Sequence, residues 1–337
     1  MTTPTPTARA VRTSSPSWLE RSNKPTLLMG AVTVLIAVIF SIASPAFLSL
    51  GNLANLATQI APVLVIGVAM TFVITAGQID LSVGAIAAFI AATSAELIAT
   101  GMESSVVIVL ACLMGLAWGL VNGYLVSYQG IPAFIVTLAT MSVIRGLALL
   151  STEGFSIPIG EQTVMRQIGS GSFLGISWLA WIGIVVFIAG LILMHKMRFG
   201  QYVTGIGSNE ESIRRAGVNT RRIKMLVMAL SGLAAGIAGV MIAARLGSGS
   251  ANSAVGLELT VIAAVVIGGT DLFGGRGTVV GTLIGAILTG LIANGLTLVG
   301  MSPFLTPIVT GLVLLAAIWI NMRGKKLSDL VSRLSGK

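Results

Sequence analysis

The residues of this sequence that can do chemistry are few, and most are gathered in the stretch His195 to Lys224, HKMRFGQYVTGIGSNEESIRRAGVNTRRIK. Within GSNEESIRRAGV, Ser208 followed three positions later by Glu211 is the S-x-x-E pattern of a capping box. Glu210 and Glu211 then fall in the first turn of a short helix, Ser212 within it, Arg214 and Arg215 in its last turn, and Gly217 where a left-handed terminator is needed. The spacing predicts a helix over Asn209 to Ala216, far below the roughly 12 to 15 residues needed for stability in water alone. Such a helix must lean on something. A membrane domain beneath and a partner protein above would supply that support; a basic connecting loop that only satisfies the positive-inside rule is the competing reading.

Catalytic constellations are missing from the pattern. The sequence holds no G-x-x-x-x-G-K-[ST] phosphate loop and no HExxH, and its single histidine, His195, leaves no Ser/His pair. The single cysteine, Cys112, sits in an apolar run, so neither a disulfide framework nor a metal-type spacing is present. No catalytic residue, no metal set and no cofactor of the chain's own is expected. A net charge of +9 raises nucleic acid as a partner, but no aromatic-basic surface accompanies it, and that reading is discarded.

The elements that must position the polar stretch are membrane spans. Of 337 residues 55% are hydrophobic and only 9% charged, against about 25% charged in a soluble globule. Forty-one glycines suit helices packed backbone to backbone in lipid. Residues 1–25, rich in Thr, Pro and Ser, read as a disordered cytoplasmic tail, residues 26–322 as the transmembrane domain with a polar loop at 196–224, and residues 323–337 as a basic tail. From Pro25 to Ile79 no side chain is ionisable, which accommodates an uncleaved first span and a second that Pro62 kinks. The uncharged stretch from Ser104 to Ile144 makes the fourth and fifth spans, with Gly115, Gly119 and Gly123 as a packing seam. Arg145, in the outer third of the fifth, can pair with Glu153 or reach the headgroups.

The eighth apolar segment, Leu257 to Thr270, is about 21 Å long as helix against roughly 30 Å of hydrocarbon, and RLGSGSANSAVG precedes it. Irregular backbone at membrane depth must face protein or water, so Ser248, Ser250, Asn252 and Ser253, with Asn294 further on, are candidate pathway residues; a short helix simply buried in the bundle is the alternative. In all, an all-α polytopic protein of about ten crossings is expected, with one short or broken helix. Both termini then lie on one side together with 17 of the 20 Lys and Arg; Arg145, Arg166 and Arg245 lie toward the other, which puts the termini in the cytoplasm. One internal echo suggests duplicated halves: G-x-x-D-L at Gly77 to Leu81, with Asp80 and the nearby Gly84, and again at Gly268 to Leu272, with Gly269 and Asp271. Spans almost free of ionisable groups disfavour an ion-coupled carrier and favour a pathway for a neutral polar solute energised by a partner.

Four ordered stretches carry a resemblance. AGQIDLSVG near residue 80, PAFIVTLATM at Pro132 to Met141, RFGQYVTGIGSNEESIRRAGVNTRRIK at Arg198 to Lys224, and VIGGTDLFGGRGTVVGTLIGA at Val266 to Ala286 resemble the permease subunit of ribose-type ABC sugar importers. The resemblance runs from about residue 28 to 322 and implies a bacterial inner-membrane permease. Its implied partners are a second permease copy or close relative, cytoplasmic ATPase subunits that bind ATP and Mg, and an extracytoplasmic sugar-binding protein. It implies that Gly205 to Lys224 is the coupling loop, with the helix Asn209 to Ala216 docked on the ATPase and Gly217 and Asn219 forming its exit turn. Gln78 stands where the family often has Gly, and Arg214 beside Arg215 where it usually has small residues and one Arg. A branched-chain amino-acid ABC permease is the nearest alternative, and a stand-alone secondary transporter a more distant one.

Overall fold

The computed structural model describes residues 18–302 together with 304, 305, 307–309, 311, 312 and 315. The helices in chain order are α1 (Trp18–Ala43), α2 (Leu50–Thr75), α3 (Val83–Ala99), α4 (Ser104–Ser127), α5 (Ala133–Thr152), α6 (Val164–Ser170), α7 (Trp178–His195), α8 (Arg198–Arg215), α9 (Thr220–Leu246), α10 (Leu257–Ile267) and α11 (Val279–Leu298). Four two-residue strands interrupt the helical order. β1 (Ile157–Pro158) pairs antiparallel with β4 (Ser248–Gly249), and β2 (Ser172–Phe173) with β3 (Ile176–Ser177).

Among the described residues seven helices are long and apolar enough to cross a membrane, and α3 and α10 are shorter apolar helices. The chain is therefore a polytopic helical membrane protein. The expected tenth span lies mostly outside the described residues, as does the basic tail at 323–337. Helix α1 begins at Trp18, so residues 18–25, expected as part of an unstructured tail, are helical. Extending an existing helix by two turns avoids the nucleation cost that a separate segment would meet.

Helices α2, α9 and α11 form the buried centre, while α1, α4, α5 and α7 turn apolar side chains outward, the arrangement a hydrocarbon solvent permits. The closest seam joins α4 to α9. Gly115, Gly119 and Gly123 face Gly232, Gly236 and Met225, and a Cβ on Gly119 would stand 2.5 Å from the Met228 carbonyl oxygen. Only glycine allows the two backbones that approach, as the spacing predicts. Pro62 is accommodated inside a continuous α2.

With 11 residues, α10 is about 16 Å long, half the hydrocarbon thickness. Leu257, at its start, packs on the buried cluster of Ala87, Ala88, Ile242 and Ala254, and Gly268, at its end, lies against Gly281 of α11. The non-helical backbone from 247 to 256 begins against α3 and α9, where Gly249 and Ala251 are buried and protein groups satisfy part of it, while Asn252 and Val255 are exposed. Ile159 donates its N–H to the Gly247 carbonyl at 2.9 Å, and Arg145 donates Nη1 to the Ala251 carbonyl at 3.0 Å. The alternative of an Arg145–Glu153 pair is thereby corrected, because a carbonyl left in an irregular segment is the acceptor within reach of the guanidinium.

Candidate functional site: a glycine-built junction under the polar segment

Helix α8 is two helices joined at Asn209, whose φ of −161° and ψ of 95° break the helical run. Its first part, Arg198 to Ser208, was not anticipated, since three glycines in GQYVTGIG read as loop. The start of the second part is also corrected. Ser208 stays in the first helix and donates its Oγ to the Thr204 carbonyl at 3.0 Å, while Asn209 Oδ1 accepts the Ser212 N–H at 3.0 Å. Asparagine is at least as good a cap as serine, and a serine preceded by helix back-bonds four residues up instead. Glu211, expected to close a capping box, binds Arg214 and Arg215, the latter at 2.9 Å. Gly217 takes φ +85°, with its N–H on the Arg214 carbonyl at 3.0 Å. Asn219 begins the next element, its Oδ1 accepting the Arg222 N–H at 3.0 Å at the head of α9.

Beneath this exposed knob the chain closes on itself through backbone. A Cβ on Gly207 would overlap the Thr75 carbonyl oxygen and reach 2.5 Å from the Gly275 nitrogen. Gly275 donates its N–H to that same Thr75 oxygen at 2.9 Å. A Cβ on Gly274, which has φ +88°, would stand 3.0 Å from the Gly77 Cα and 3.1 Å from the Gly207 Cα. The polar segment therefore rests on the end of α2 and on the turn 268–278, backbone against backbone at Gly207. Glu210 reaches Lys224 of α9 at 3.0 Å, tying the short helix down from a second direction.

Of the echoed turn residues, Gly77 takes φ +74° and Gly269 φ +96°. Asp80 is fully buried; it accepts the Ser82 N–H at 2.9 Å and the Ser82 hydroxyl at 2.6 Å on Oδ1, and the Ser231 hydroxyl at 2.7 Å on Oδ2. Asn122 of α4 donates to the Ser82 hydroxyl at 2.9 Å. Burial pushes the Asp80 carboxyl above its ordinary value, against the downward pull of the bonds from Ser82 and Ser231. Ser82, Asn122 and Ser231 read in the sequence only as small or polar residues within apolar runs, and no spacing signalled that they meet. A Cβ on Gly84 would stand 3.1 Å from the Ala254 carbonyl oxygen and would displace the Glu258 carboxylate.

The candidate pathway residues separate. Ser248 lies in β4, Ser250 and Ser253 close a turn on one another, and Asn252 is exposed. Asn294 is elsewhere, exchanging two 2.9 Å amide hydrogen bonds with Asn52 between α11 and α2. Among the described residues no group of three or more His, Cys, Asp or Glu is placed to hold a metal.

The structure is a helical bundle with one polar segment seated on the turns that follow α2 and α10, and the comparisons give its class. The family described as branched-chain amino acid transport system / permease component matches residues 52–318, and the chain belongs to it. Similar relatives include the ribose import permease protein RbsC of Escherichia coli K12, 38% identical over 86% of this chain and 91% of the relative. The Bacillus subtilis RbsC is 40% identical over 86% and 90%, and the L-arabinose ABC transporter permease AraH of Azospirillum brasilense 38% over 85% and 84%. No solved structure gives a significant match. The chain is thus a multi-pass permease component, a subunit that shapes a passage and performs no covalent chemistry.

Proposed function

We propose that this permease forms the membrane pathway of an ATP-driven importer for a monosaccharide, such as a pentose, hexose or polyol. The observation that carries the reading is near full-length similarity to relatives named for ribose and arabinose, together with central spans poor in charge. An uncharged pathway suits a neutral polyhydroxylated solute. The basic-residue asymmetry puts the termini and the α8 knob in the cytoplasm. There the helix after Asn209, with Glu211, Arg214 and Arg215 at its surface, docks on an ATPase subunit that carries ATP and Mg. A second permease subunit and an extracytoplasmic sugar-binding protein complete the assembly. Nucleotide-driven closure of the ATPases then pushes the knob, and the backbone junction at Gly207 passes the displacement to both inner turns at once.

The test is reconstitution with the ATPase and binding protein. Arg214→Glu is expected to insert normally while sugar-stimulated ATP hydrolysis and uptake fall about tenfold, the loss of roughly one charge-assisted contact. Unchanged uptake removes the docking assignment. Uptake of leucine in place of a pentose would move the protein to the branched-chain amino-acid reading that the family description carries. Concentrative uptake without any ATPase would make it a stand-alone carrier.

A further inference from the structure

At the end of the bundle that carries the α8 knob, a cavity of about 370 Å³ opens between the turn after α2, the turn between α4 and α5, and the Glu210–Lys224 pair. Its size is at the low end for small-molecule sites, so its occupant is small. The charged groups at its wall are one carboxylate and one ammonium, held 3.0 Å apart, and they neutralise one another; an ion entering would have to break that pair. The rest of the wall is amide, backbone and apolar surface, with Gln78, Ile131 and Phe134 prominent.

Gln78 is the informative residue. It is only 6% exposed, lines the cavity, and its carbonyl oxygen is buried with no hydrogen-bond partner. A buried acceptor without a donor is costly, and the terminal amide torsion of glutamine is broad enough to turn that oxygen toward the cavity. With the amide so turned, a hydroxyl entering the cavity would meet the oxygen as a donor. A ligand with several hydroxyls supplies such a donor, donating to Gln78 and to the free lone pairs of Glu210 while its ring lies on Ile131 and Phe134.

We propose that this cavity binds one molecule of an uncharged polyhydroxylated solute from the cytoplasm, and that the bound molecule slows transport. The slowing follows from position. The cavity touches both the inner turn beside Asp80 and the Glu210–Lys224 tie of the α8 knob, so an occupant braces the two parts whose relative movement drives the cycle. The transported sugar, accumulating inside, is the ligand with this chemistry. The inference rests on the monosaccharide-importer reading and on its cytoplasmic placement of the knob.

The experiment uses the full transporter in proteoliposomes, with binding protein outside and ATP inside, preloaded with increasing unlabelled transported sugar. Initial uptake of labelled sugar and ATP hydrolysis are both recorded. For the unaltered chain both rates should fall severalfold as internal sugar rises through the millimolar range, whereas an equal concentration of the corresponding sugar acid should leave them unchanged. Within each variant, the rate with preload is divided by the rate without. Gln78→Ala should need about tenfold more internal sugar for half-inhibition, the loss of one hydrogen bond. Ile131→Trp, which fills the space from the opposite wall, should abolish inhibition. Rates of the unaltered chain that do not respond to internal sugar overturn the proposal, and so does inhibition by the sugar acid to the same degree. Absence of ATP-dependent uptake into empty vesicles is a different failure, that of the importer reading itself.

Discussion

The sequence G-x-x-D-L occurs at Gly77–Leu81 and at Gly268–Leu272, and the two turns meet at the same backbone junction with Gly207 between them. Their aspartates do different work. Asp80 points into the bundle, fully buried, and binds Ser231 in the middle of α9, so its turn is tied to the helix that leads out of the α8 segment. Asp271 is half-buried and organises its own loop. Its Oδ1 accepts the Phe273 N–H at 3.1 Å, its carbonyl accepts the Gly274 N–H at 3.0 Å, and its N–H reaches the Arg276 carbonyl at 3.0 Å. The same five-residue pattern thus braces its turn to α9 in one place and shapes the local turn in the other. Ser231 gives the first carboxylate a donor 151 positions away in the chain.

The wedge that both turns share should tolerate least. Gly207→Val would place a branched side chain against the Thr75 carbonyl and the Gly275 nitrogen, both backbone and unable to step aside. Assembled transporter, read by size-exclusion profile and uptake, should drop more than about tenfold, the result of overpacking by several kcal/mol. Wild-type uptake from this variant would break the idea of a backbone junction. The next largest effect separates the aspartates. Asp80→Ala leaves the Ser82 and Ser231 donors unsatisfied in the fully buried interior and should cost about 2–4 kcal/mol in detergent unfolding, more than Asp271→Ala at its half-buried turn. Equal losses would erase the contrast. Adding Ser231→Ala should be strongly non-additive with the first variant and additive with the second. The smallest effect belongs to Gly77→Ala, where the nearest atom to the new Cβ is 3.9 Å away and only the φ of +74° opposes it. About 1 kcal/mol is expected, and Gly77→Asn, which tolerates that conformation, should recover part of it.

Much of the fold was legible because membrane spans announce themselves by length and composition. The glycine spacing of α4 and α9 named its own seam, since small residues four apart have little other use in lipid. The short α10 was visible from its residue count. The polar segment was half legible. Its charge order and Gly217 were there to be read, but the cap moved from Ser208 to Asn209 because a helix before it, hidden by glycines, had already claimed the serine. Arg145 was misread for a related reason: its acceptor is a main-chain carbonyl 106 positions away, which no side-chain pattern encodes. Asn294 reads in the sequence as a lone amide, and its partner, Asn52, lies 242 positions away.

By itself, then, the sequence determined that the chain is a lipid-embedded helical bundle with one polar segment between its spans. Hydrophobic length, charge placement and small-residue spacing are local quantities that every residue window carries. Only the tertiary structure decided that two similar turns lie back to back on Gly207, that Asp80 is braced to Ser231, and that a neutral cavity opens beside Gln78. Those are contacts between segments far apart in the chain, fixed by how closely glycine backbones can approach and by which buried polar groups find partners.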